Sequence, residues 1–473
     1  MNKFIIKGLI GSLVISGITF LGGCSKFDQD FIRNPINELT VTTTETSFSL
    51  VQFEKLEIPV TITSSRSESG TYSYTWKAIA DDSVYVISDK KDLDITVEIP
   101  PGSYDLQYTI TDDKNGLTYN NMYRLTVNGA FYEGWLVTHN GGNQGKLTFV
   151  RSDHKMFDDP ASDVNNIVFP GKAIAAFYSA IQFYSEYASI HYFTDAGVYR
   201  FDPNNFLLTG KTDEVLPGVS HFGNIAYGAS VLGADQYIVN DANVHAGMGS
   251  FYANQILMPY SEGLSGDYEL FPAVITTAQL ATYFYDNKEK RFLQIPYLGR
   301  ELLPATSAAD AVFNMAKVGK TMIAADKGRT SSSSGVFYFV MEDPSGRYFY
   351  SLNGSTPAIF QKVEDSKCPD FSMATSFATS GIFEHMYYAV NNKLYLYNMV
   401  ANTAELLYSF PAGQDIKDIE MKRSTSKTLA VATVNGDSGT LHLFEIDDLG
   451  HFVRNAPSKS LTGFGNIVHI SPR

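Results

Sequence analysis

From residue 131 to the C-terminus, apolar runs come in pairs around polar turns. In Met386-Tyr387-Tyr388-Ala389-Val390-Asn391-Asn392-Lys393-Leu394-Tyr395-Leu396-Tyr397-Asn398, two short runs of aromatic and aliphatic residues flank Asn391-Asn392. Asparagine tolerates the positive φ that a two-residue hairpin turn demands, so the pattern predicts a β-hairpin. The same pattern opens at Trp135, Tyr192, Tyr237, Tyr283, Phe337, Tyr387 and Leu429, with a mean spacing of 49 residues. The turns are of the expected kind, among them Asn140-Gly141-Gly142, Asp195-Ala196-Gly197, Asp343-Pro344-Ser345-Gly346 and Asn435-Gly436-Asp437.

Most hairpins follow a further apolar strand, as at residues 174–177, 224–227, 273–275 and 416–421. The chain ends in such a strand, Gly465-Asn466-Ile467-Val468-His469-Ile470, with no hairpin after it. The first hairpin, at Trp135, has none clearly before it. A ring accounts for both, because the last strand then completes the first sheet and removes exposed edges. A period of 40–50 residues built of paired strands is the mark of a β-propeller. Seven blades are expected over residues 129–473, with six or eight left open by soft boundaries. The competing reading is one long antiparallel sandwich, or two, which leaves the period unexplained. No Gly-His…Trp-Asp repeat signature is present. Tyr237-Ile238-Val239-Asn240 and Tyr388-Ala389-Val390-Asn391 resemble the Tyr-Val-Thr-Asn repeats of surface-layer-type propellers.

Residues 38–128 alternate apolar and polar positions in short strands. Leu56-Glu57-Ile58-Pro59-Val60-Thr61-Ile62 is one example, and Tyr104, Leu106, Tyr108 and Ile110 share one face of another. About ninety residues, a central Trp76 and a tyrosine opening the penultimate strand predict an immunoglobulin-like sandwich. Leu106 stands where antibody domains carry their second cysteine, so no inter-sheet disulfide is expected. Asp112, Asp113 and Asn115 read as a hydrogen-bonded turn rather than a calcium site.

The N-terminus carries a secretory signal over residues 1–23. Lys3 and Lys7 precede an apolar run from Leu9 to Leu21 that is too short to span a bilayer. It ends Leu21-Gly22-Gly23-Cys24, the lipobox pattern of bacterial lipoproteins, which marks Cys24 for diacylation. Acyl chains would hold the protein at a membrane without a transmembrane helix. Residues 24–37 read as the tether, and Asp28 and Asp30 resemble the acidic export signal of Bacteroidetes surface lipoproteins. The only other cysteine, Cys368, is expected to be structural.

Composition agrees with strands: 13% aromatic, 18% charged, and 37 glycines. A formal net charge of −14 argues against nucleic acid or anionic lipid as a partner. No catalytic motif is found. The nine histidines include no metal-spaced pair, and His191, His442 and His469 fall in strands. Gly210-Lys211-Thr212 and Gly319-Lys320-Thr321 lack the upstream glycine of a phosphate loop, with Asn205 and Asn314 in its place. Asp158-Asp159-Pro160 and Asp163 read as a solvated loop. Catalysis on a propeller would need carboxylates from several blades to converge on the axis, and Asp195, Asp286, Asp326 and Glu384 are candidates. No catalytic residue, metal ligand or cofactor is assigned.

The lipobox, the Gly-Ser-Tyr…Thr-Asp-Asp…Gly pattern of the first domain, the junction Tyr132-Glu133-Gly134-Trp135-Leu136-Val137 and the propeller-like remainder together resemble the PKD-like lipoproteins of Bacteroidetes. That resemblance implies a cell-surface lipoprotein of the outer membrane. Its role would be that of a non-catalytic accessory to a SusC/SusD-type importer, capturing or passing on glycan or peptide. The alternatives are a propeller glycan hydrolase or lyase, and a structural surface-layer protein.

Overall fold

The computed structural model describes residues 37–66, 70–180, 188–229, 235–248, 259–278, 280–297, 299, 301–330 and 334–473. The secretory signal, Cys24 and the tether up to residue 36 lie outside the described residues.

The first domain is a β-sandwich. Its larger sheet runs Ser47–Val51, Thr118–Asn128, Gly102–Asp112, Tyr72–Ile79, Val84–Ser88, with the first pair parallel and the rest antiparallel. Facing it are two strand pairs, Leu39–Thr42 with Thr61–Ser64 and Lys55–Ile58 with Leu93–Thr96. Period-two alternation sends Leu56, Ile58 and Leu93 inward from one side and Ala78, Leu106 and Ile110 from the other. Trp76 is fully buried at the centre, its ring 4.3 Å from that of Tyr108, and its indole N–H donates to the Lys90 carbonyl at 3.1 Å. The Tyr104 hydroxyl donates to the Pro100 carbonyl four residues back at 2.7 Å, the tyrosine-corner bond of such sandwiches. Leu106, in the position of the antibody cysteine, faces the core.

Among the described residues, the second domain forms seven small antiparallel sheets in chain order. Blade 1 is made by Gly134–Gly141, Gln144–Arg151 and Met156–Phe157, and blade 2 by Ala173–Ser179, Ser189–Thr194, Gly197–Phe201 and Leu208–Gly210. Blade 3 contains Ala226–Ala229, Asp235–Asn240 and Asn243–Met248; blade 4 contains Ala281–Asp286, Arg291–Pro296 and Leu303–Pro304. Blade 5 begins with Thr321–Thr330, blade 6 with Ser376–Thr379 and blade 7 with Asp415–Met421.

The C-terminal strand Asn466–Pro472 pairs with Gly134–Gly141, placing Ile470 opposite Val137 and Pro472 opposite Trp135. The orphan strand therefore does complete the first sheet, and the ring closes. Seven apolar clusters make the same point independently, because each joins one blade to the next and the last joins blade 7 to blade 1. Middle strands are consequently buried on both faces. In His385–Val390, Tyr387 packs toward blade 7 and its neighbour Tyr388 toward blade 5. A continuous apolar run in place of alternation follows directly from that double burial.

Two sequence expectations need correction. The strand expected at residues 273–275 forms only isolated bridges, Leu270 to Asp286 and Ile275 to Tyr283. Pro272 between them has no N–H to donate, which interrupts the ladder. The acidic stretch near Asp158 is no free loop: Asp159 caps the short helix Pro160–Asn165, and Asp158 pairs with Lys146 at 2.7 Å.

Candidate functional site

The first strands of the blades, together with residues 270–278 of blade 4, surround the ring axis. They line a half-open cavity of about 740 Å³, to which six of the seven blades contribute residues. One wall is aromatic, with Phe177 and Tyr178 from blade 2, Tyr227 from blade 3 and Phe337 from blade 5. The other carries Asp326 and Lys327 from blade 5, Glu420 and Arg423 from blade 7, and His469 from blade 1. A register shift follows Lys327 in its strand, and here two consecutive side chains both reach the cavity.

Asp326 is closely held. Its Oδ1 accepts from Arg423 Nη2 at 2.5 Å and from the Lys327 N–H at 2.7 Å. Its Oδ2 accepts from the N–H and hydroxyl of Thr379 in blade 6, at 2.6 and 3.0 Å. Arg423 also donates to Glu420 at 2.9 Å and to the Lys327 carbonyl. The backbone at Arg423 is pressed against blade 6, where a Cβ at Gly381 would stand 2.8 Å from the Arg423 carbonyl oxygen. Asp418, two residues before Glu420, accepts the Ile470 N–H of blade 1 at 2.8 Å. This network therefore ties four consecutive blades together near the axis.

Enclosure by the ring shifts these groups. Burial pushes Asp418 up to about 7, against the backbone N–H bonds that favour its ionised form. It raises Glu420 in the same direction, despite the attraction of Arg423. Burial also works against the Arg423 charge, but Asp326 and Glu420 outweigh it and keep the guanidinium protonated. Lys327 is lowered by burial, with Arg423 adding to the effect. Burial holds His469 at about 4 and therefore neutral, with its ring 4.8 Å from that of Phe177.

Of the four candidate carboxylates, only Asp326 reaches the axis. Asp195 accepts the Lys172 N–H at 2.8 Å beside its own hairpin turn. Asp286, fully buried, accepts the N–H groups of Glu269 and Lys288 and pairs with Arg291 at 3.3 Å. Glu384 lies at an outer groove with His385 and Leu396. The expected convergence of these four does not occur, because hairpin-turn residues sit at blade ends rather than on first strands. His442 bridges Thr433 and Ser460 at 3.0 and 2.8 Å within blade 7, and His191 is buried between blades 2 and 3. Sequence reasoning missed Asp418, Glu420, Arg423 and Lys327. A signal for two of them was present: in Asp415–Met421, Asp418 and Glu420 alternate with Ile419 and Met421, which pack toward blade 6, so the two carboxylates share the opposite face.

Among the described residues, no group of three or more His, Cys, Asp or Glu is placed to hold a metal ion.

The PKD-like family matches residues 33–173, which takes in the sandwich, the blade 1 hairpin and the first residue of blade 2. No curated protein matches the sequence. Among solved structures, the chain is similar to the dihydro-heme d1 dehydrogenase NirN in complex with DHE, at 8% identity and a TM-score of 0.43, over 77% of this chain and 72% of that one. It is also similar to a GH74 xyloglucanase from Xanthomonas campestris, at 12% identity and a TM-score of 0.39, over 58% and 43% of the two chains. A third is the extracellular domain of a one-component system from B. thetaiotaomicron, at 11% identity and a TM-score of 0.37, over 72% and 40%. At these values the likenesses add nothing to what the seven sheets establish.

Proposed function

We propose that the chain is a lipid-anchored, non-catalytic component of the outer-membrane surface that captures a glycan or peptide for a SusC/SusD-type importer. The observation that carries this reading is the axial cavity, which sets aromatic faces from blades 2, 3 and 5 against a polar wall from blades 5, 7 and 1. Aromatic faces opposite a few fixed polar groups suit recognition of a partly apolar ligand. The axial carboxylate least free to act is Asp326, whose two oxygens already accept four hydrogen bonds. A group so engaged supports a structural or binding role over general acid or base catalysis.

In this reading, diacylated Cys24 anchors the chain, residues 25–37 space it from the membrane, and the sandwich presents the ring. Fractionation tests it. The protein is expected in the outer membrane, co-purifying with importer subunits, and Cys24→Ala is expected to release it. Recovery as a soluble, solitary protein with Cys24 intact would overturn the proposal.

A further inference from the structure

Arg423 and Asp326 form a closed pair, and Glu420 completes the guanidinium's partners. Lys327 is different. It lines the same cavity, yet its ammonium has no ion pair or hydrogen bond among the described residues. Asp326 and Glu420 both engage Arg423, and among the described residues neither is paired with the Lys327 ammonium, so the lysine's charge has no partner of its own. A partly buried cation without a counter-ion, in a cavity that a ligand can dry, offers a carboxylate an ion pair that no protein group already takes.

We infer that Lys327 is the docking point for a carboxylate on the captured ligand, whose body packs against Phe177, Tyr178 and Tyr227. This rests on the capture reading above and deepens it. The cavity volume of about 740 Å³ suits a short oligosaccharide or a small peptide. The carboxylate belongs either to a uronate in an acidic glycan or to the C-terminus of a peptide; the chemistry at the ammonium is the same. The net charge of −14 does not oppose this at close range. Its field is screened over about 10 Å at ordinary salt, whereas a contact inside the cavity is screened much less.

The test is calorimetric titration of the purified mature chain with four ligands: trigalacturonate, its methyl ester, the tripeptide Gly-Leu-Phe, and the amide of that tripeptide. One acid is expected to bind roughly 10- to 100-fold more tightly than its neutral counterpart, and which one identifies the source. Lys327→Met should abolish that preference, whereas Lys327→Arg should retain it. Lys327→Met should also melt no lower than the wild type, since it removes an unpaired cation and keeps the stem's length. Equal binding of acid and neutral forms, a preference surviving in Lys327→Met, or binding by none of the four overturns the inference. So does a marked loss of stability in that variant, which would reveal a structural partner. The capture reading is judged separately, by co-purification with the importer.

Discussion

The Asp418 carboxylate in blade 7 accepts the Ile470 backbone N–H in blade 1 at 2.8 Å. One hydrogen bond thus joins the last complete blade to the strand that closes the ring. Asp418→Leu leaves that N–H without its partner, and the expected cost is about 1–3 kcal/mol in denaturant unfolding. Asp418→Asn keeps an acceptor and removes the cost of an enclosed charge. It is expected to nearly match the wild type near pH 4 and to exceed it near pH 7, because burial holds Asp418 at about 7 while the unfolded chain gives up that proton from about pH 4. An Asn variant that is weaker at both values would contradict this account.

Stability should pass through a maximum near pH 6.5. Burial holds His139, His385, His442 and His469 at about 4 and His191 at about 3, below the ordinary 6.5. Between about 4 and 6.5 the unfolded chain binds protons that these folded histidines refuse, so their contribution to stability rises with pH. Asp418 and Glu420 act in the opposite sense. Their folded forms keep protons that the unfolded forms have lost, so their contribution is full below the ordinary carboxylate range and declines as pH rises. Below 6.5 the lowered histidines, His245 among them, outnumber the raised acids Asp418, Glu420 and Asp159, and above it the folded Asp418 and Glu420 still hold protons that the unfolded chain has lost. Thermal melts from pH 4 to 9 check this; a curve still rising from pH 7 to 8 would refute it.

At the closing seam, backbones meet without room for side chains. A Cβ at Gly439 would collide with the Gly465 carbonyl, and one at Gly465 with the Asn140 carbonyl. Gly465→Ala is expected to cost about 1–3 kcal/mol through forced displacement of the backbone. Ile470→Ala, which empties a fully packed site between blades 7 and 1, should cost about 2–4 kcal/mol. Deleting residues 466–473 should do more than both, since it exposes the Gly134–Gly141 edge and with it a site of strand-to-strand aggregation. Light scattering and unfolding curves of the three variants would rank them.

Much of this architecture was legible because the ring imposes a period on the chain. Tyr192, Tyr237, Tyr283 and Tyr387 recur as the buried aromatics of second strands, and the strand around Ile470 had no hairpin of its own. The axial site was less legible. Asp195 and Asp286 have the residue type that an axial carboxylate needs, yet both staple hairpin turns. Asp326 was identified by type alone, whereas its partner Arg423 lies 97 positions away in the sequence, and only closure of the ring brings them together. Lys327 could not be singled out, because its distinction is the lack of a partner, a property of three-dimensional surroundings rather than of spacing.

Adjacent residues usually couple when both are altered, but Tyr387 and Tyr388 should not. Their side chains leave the strand on opposite faces, into different interfaces between blades. The Tyr387 hydroxyl donates to the Gly450 carbonyl at 2.8 Å toward blade 7, and the Tyr388 hydroxyl to the Pro369 carbonyl at 2.6 Å toward blade 5. Each Tyr→Phe change removes one buried donor and leaves one carbonyl unsatisfied, for an expected loss of about 1–2 kcal/mol. Because the two sites share no partner, the double variant should lose the sum of the single losses to within about 0.5 kcal/mol. A coupling much larger than that, read from denaturant curves of the four proteins, would mean that the strand shifts as a unit and that the two interfaces are not independent.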